Sequence, residues 1–122
     1  MTKILPAYTF NVGKAFAATA ASFSSRPALV MLSGETTTYG ELERLSNQIA
    51  AWLLSKGVTM GDVVAIFNCK SASSYACMIA CVKLGVVYVN LDPSSPPERL
   101  EKMLHTCNPT QIWTNVDISD KF

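Results

Sequence analysis

The residues with the widest chemical reach in this chain are its four cysteines, Cys69, Cys77, Cys81 and Cys107, and its one histidine, His105. Thiols and imidazoles hold zinc when they recur as C-x-x-C pairs or at zinc-finger spacing. Neither pattern occurs. Cys77 and Cys81 lie four apart and share a helix face, and His105 stands two before Cys107. A metal reading of these residues therefore yields to one in which the thiols are small, buried and reduced. His105 falls on the outer flank of a helix whose apolar stripe is complete without it, so a solvated or capping imidazole is expected, not a general base. Asp92 and Glu98 read as a turn residue and a helix-start residue, not as a pair of catalytic carboxylates. Arg99 is placed to bridge back to Asp92.

Phosphate chemistry would need a glycine-rich loop feeding a helix. No G-x-G-x-x-G and no G-x-x-x-x-G-K-[ST] is present. The stretch Ser33-Gly34-Glu35-Thr36-Thr37-Thr38 has the polarity of such a loop. It lacks a second glycine and a closing lysine, and it sets Glu35 where a phosphate would lie. A hairpin turn is the expectation. The residues alone yield no catalytic, cofactor-binding or metal-binding residue.

The elements that would position a site are clear. Asn11 to Phe23 has Val12, Phe16, Ala20 and Phe23 at helical spacing, and Pro27 closes the segment. Ala28–Leu32 and Thr36–Thr38 read as two short strands about the Gly34 turn. Thr38 and Glu41 form a capping box before a stripe of Leu42, Leu45, Ile49 and Leu53, with Arg44, Asn47, Gln48 and Ser55 opposite. Gly57 ends that helix.

Val63-Val64-Ala65-Ile66-Phe67 is an unbroken apolar run, as suits a parallel strand buried on both faces. The loop after it, Phe67-Asn68-Cys69-Lys70-Ser71-Ala72, holds no glycine. Ser71–Leu84 is a helix apolar on both sides, with Tyr75, Met78, Ile79 and Val82 on one and Ala76, Cys77, Ala80, Cys81 and Leu84 on the other. Such a helix is expected to be buried all round. Gly85 stops it before a buried strand over Val86–Val89.

Asn90–Ser95 reads as a loop. Ser95 and Glu98 make a second capping box with proline at the first helical position, and Leu100, Met103, Leu104 and Cys107 form the next inner stripe. Asn108-Pro109 ends it before a strand over Gln111–Thr114. This succession predicts an α/β fold: a three-layer, Rossmann-like parallel sheet with flanking helices, preceded by a helix and a β-hairpin. No linker interrupts residues 1–122, which read as one partial domain.

Composition removes several classes of function. A net charge of +1 with 16% charged residues leaves no basic stripe for nucleic acid. No apolar run reaches the roughly 20 residues of a membrane span, and Met1–Phe10 does not read as a signal peptide. A cytoplasmic location is the expectation. Hydrophobic residues make up 49% of the chain, with a mean hydropathy of +0.23. That is much apolar surface for so few charges, and it implies that further protein covers part of it.

Two segments carry a resemblance. Thr38-Tyr39-Gly40-Glu41-Leu42 resembles the first core motif of the adenylate-forming (AMP-binding) superfamily, which includes acyl-CoA synthetases, luciferases and the adenylation domains of nonribosomal peptide synthetases. Lys83 to Leu100, which reads KLGVVYVNLDPSSPPERL, resembles the second: a K-x-G helix end, a Y-V strand and D-P-x-x-P-x-E-R. Arg26-Pro27-Ala28-Leu29-Val30 and Gly61-Asp62-Val63-Val64-Ala65 fit the same frame, and the resemblance runs from about Asn11 to Thr114. Asn90 stands where most members carry proline, and a small structural effect is expected.

The resemblance implies a parent ligase that activates a small carboxylic or amino acid with ATP and Mg²⁺ to an acyl-adenylate. The acyl group then passes to the thiol of CoA or of a carrier protein. The family's phosphate loop, its metal and ribose carboxylates and its catalytic lysine match no residue of this sequence. The chain is therefore expected to be an inactive N-terminal scaffold piece, with the remainder of the parent chain as its partner. The alternative is a stand-alone interaction module that docks through Ser71–Leu84.

Overall fold

Short polar side chains open the first three helices, and residues with positive φ close the last two. The computed structural model describes residues 11–67 and 70–114. Helix α1 (Val12–Ser22) starts where Asn11 Oδ1 accepts from the Lys14 amide at 3.1 Å. The hairpin strands β1 (Pro27–Val30) and β2 (Thr36–Thr38) pair antiparallel about the turn at Gly34, whose φ is +92°. Helix α2 (Tyr39–Ser55) starts at Thr38, whose Oγ1 accepts from the Glu41 amide at 3.2 Å and donates to the Glu41 carboxylate at 3.0 Å. Gly57 (φ +83°) follows it in the left-handed region.

Strand β3 (Val63–Phe67) leads to α3 (Ala72–Leu84), which Ser71 caps by accepting from the Ser74 amide at 3.2 Å. Gly85 (φ +69°) closes α3. Strand β4 (Val87–Leu91), helix α4 (Pro97–Cys107) and strand β5 (Gln111–Thr114) complete the described chain.

The three later strands form a parallel sheet in the order β4-β3-β5. Its centre, β3, alternates sides with the strand period of two. Val64 and Ile66 enter a core with Leu42, Ile49 and Leu53 of α2 and Ala76, Cys77, Ala80 and Cys81 of α3. Ala65 and Phe67 face the other way, with Leu91 of β4 and Leu100 of α4. Helices α1, α2 and α3 thus make one outer layer, the sheet the middle and α4 the third. The architecture is the expected three-layer α/β arrangement.

Four local expectations are corrected. The strand read as Val86–Val89 runs from Val87 to Leu91 and forms a sheet edge, so Val87 is 53% exposed whereas Val86 before it is 6% exposed. Asn90 and Leu91 therefore belong to the ladder, opposite Ile66 and Phe67, and not to the loop. Ser95 does not cap α4: the cap is Pro96, with no side-chain bond. The Ser95 amide donates to the Asp92 carbonyl at 3.0 Å, closing the turn before the helix, in place of the Glu98 carboxylate that a capping box would offer it. Finally, α3 is not buried all round. Ala76, Cys77, Ala80 and Cys81 are fully buried, while Tyr75, Met78, Ile79 and Val82 are only half-buried.

Candidate functional site

In parallel α/β sheets, ligands gather where the strands end at their carboxyl side. Phe67, Leu91 and Thr114 end β3, β4 and β5 in register there. Beyond Leu91, Asp92 turns the chain: its Oδ1 accepts from the Ser94 amide at 2.9 Å and from the Ser94 hydroxyl at 2.7 Å. Those two bonds, with the positive charge of Lys70, hold the Asp92 carboxyl below the ordinary carboxylate range. Its role is that of a turn residue, as its sequence position suggests. The expected Arg99 bridge to Asp92 does not form. Asp92 is engaged by its own turn and Arg99 is exposed on α4, whereas Lys83 pairs with Glu43.

Across from the start of α3, the hairpin turn and Lys70, Ser71 and Tyr75 line an open cleft of about 520 Å³. The turn is closed by the Gly34 amide donating to the Met31 carbonyl at 2.9 Å and the Met31 amide to the Glu35 carbonyl at 2.8 Å. Ser33–Thr38 is thus a hairpin and not a phosphate cradle. Glu98 lies in the first turn of α4 and His105 in its last, both exposed. They share a mixed-charge flank with Glu101 and Lys102, and the Glu98 carboxylate suits the N-terminal end of the helix dipole.

Cys77 and Cys81 are fully buried on the core face of α3, and Cys107 is half-buried with its thiol directed at the Leu104 carbonyl at 3.8 Å. A hydrogen bond to Cys81 and burial push the Cys77 thiol up. Cys69 lies outside the described residues. Among the described residues no group of three or more His, Cys, Asp or Glu gathers.

One polar network was not foreseen from the sequence, where Lys83 reads only as part of a helix end. Lys83 near the end of α3 reaches across to α2, where its Nζ donates to Glu43 Oε1, to Ser46 Oγ at 2.9 Å and to Asn47 Oδ1 at 2.8 Å. It also stands 5.8 Å from the centre of the Phe16 ring on α1. Gly13 lets α1 approach: a Cβ there would lie 3.0 Å from Lys83 Cα and Cγ. Asn47, expected on the solvent side of α2, is drawn into this network and also donates to Glu43 Oε1 at 3.1 Å. An ammonium has three donors, and all three are used. Lys83 has none left for a substrate, so it joins three helices. The signal in the sequence is a lone cation near the end of an otherwise uncharged helix.

Asp92 Oδ1 is engaged by Ser94, the Lys83 ammonium by Glu43, Ser46 and Asn47, and the sequence after β3 and β4 holds no glycine-rich loop. The two stretches that resemble superfamily motifs are instead load points of the scaffold: the cap of α2, the stop of α3, an edge strand and the start of α4.

Comparison with known proteins places this scaffold. The family model described as AMP-binding enzyme matches residues 16–121, and the chain belongs to that family. It is 38% identical over 94 residues to the malformin synthetase mlfA of Aspergillus vadensis and 34% identical over 88 residues to the hybrid PKS-NRPS synthetase gkaA of Penicillium citrinum. These alignments take in 77% and 72% of this chain but only 2% of each synthetase.

Among solved structures, NpsA of Klebsiella oxytoca, in complex with 3-hydroxyanthranilyl-AMSN, superposes with a TM-score of 0.81 at 27% identity. The match covers 89% of this chain and 22% of that one. A fatty acyl CoA synthetase of Mycobacterium tuberculosis shares the fold, with a TM-score of 0.82 at 21% identity over 91% of this chain and 22% of its own.

Proposed function

We propose that this chain is the N-terminal scaffold portion of an ATP-dependent, carboxylate-activating ligase. The observation that carries the reading is the paired coverage: nearly all of this fold superposes on NpsA while accounting for 22% of it. In this reading residues 1–122 are one partial domain of a cytoplasmic enzyme. The rest of the parent chain supplies the phosphate loop, the metal carboxylates and the catalytic lysine. ATP and Mg²⁺ bind there, and the parent forms an acyl-adenylate before handing the acyl group to CoA or to a carrier-protein thiol. Adenylation converts a poor leaving group into a good one, and the protein's contribution is to position reactants and neutralise phosphate charge. The scaffold contributes the rigid layer on which those loops are mounted.

The carrier-protein branch draws support from relatives named as peptide synthetases and from NpsA, which has been joined to a carrier domain in an artificially fused adenylation–PCP di-domain. The interaction-module alternative draws less support. Phe16 of α1 packs against the same core as Met78 and Ile79, so the second face of α3 is already partly occupied.

The test uses the native gene product alongside the isolated 122-residue chain. A product several times the mass of this chain that exchanges labelled pyrophosphate into ATP when given an acid is expected, with no exchange from the isolated chain. A native product of this chain's own size, inactive with every acid, would sink the ligase reading. Exchange by the isolated chain would overturn its assignment as scaffold alone.

A further inference from the structure

We draw no further inference here: the strongest candidate, the apolar groove that Val12, Phe16, Met78, Ile79, Val82 and Tyr88 line between α1, α3 and the edge strand β4, carries none because nothing in the structure shows what covers it.

Discussion

Replacing Lys83 by methionine keeps most of the side-chain stem and removes the ammonium that joins α3 to α2. Glu43 then loses its cation while Oε2, already buried without a partner, stays so. Only the Asn47 amide continues to serve Oε1. Removing one member of a fully buried pair costs about 3–5 kcal/mol, because the remaining charge is left uncompensated. Here the two side chains are 14% and 23% exposed, so water relieves part of that penalty. A loss of about 2–3 kcal/mol is expected, a large share of the roughly 5–15 kcal/mol typical of a domain.

Urea unfolding followed by far-ultraviolet circular dichroism would read this as a midpoint lowered by about 1–2 M, for a slope of about 1–3 kcal/mol per M. The second half of the experiment is Glu43→Gln, alone and combined with Lys83→Met. Once the stranded charge is gone, the double variant is expected to be more stable than the sum of the two single effects predicts, by about 1 kcal/mol or more. A Lys83→Met chain within about 0.5 kcal/mol of the parent, with additive single effects, would refute the claim that this network joins the helix layer.

The packing of α1 makes a second test. Gly13→Ala gains helix propensity of about 1 kcal/mol but drives a methyl to 3.0 Å from the Lys83 backbone and from Asn11 Oδ1. Overpacking of about 1–3 kcal/mol is expected to prevail, so thermal unfolding should move down; a rise in Tm would show that α1 can retreat. For Cys77 the sign follows from its raised thiol. The stability it lends is complete below the ordinary thiol value of 9.0 and is lost as pH climbs beyond it, since only the unfolded chain then releases the proton. Because burial would raise Cys81 once its bond to Cys77 is gone, replacing both thiols by alanine should flatten the decline in stability above about pH 9, and an unchanged slope in that double variant would count against the buried thiols. Asp92 runs the other way. Its carboxyl should titrate below the ordinary 3.8 by carbon-detected NMR, and Ser94→Ala should move it back up. Its contribution is present above 3.8 and fades as pH falls through the lower folded value. An Asp92 titration indifferent to Ser94→Ala would contradict the turn.

What the sequence determined by itself is local. Thr38, Ser71, Gly85 and Asn108 mark helix ends because capping and left-handed geometry depend on a few neighbouring atoms. The alternation within Val63–Phe67 and the apolar stripe of α2 fixed which residues face the core, since strand and helix periods are properties of the backbone. The two motif-like segments, read in that frame, pointed to the family that the comparisons bear out.

What only the tertiary structure decided depends on residues far apart in the chain. Lys83 meets Glu43, Ser46 and Asn47 across 36 to 40 positions, a meeting that no window along the sequence contains. Val87 and Tyr88 have the composition of a central strand, yet they lie at an edge because β5 takes the other side of β3. In each case several long-range or competing contacts settle the outcome, and their balance is a property of the assembled layers.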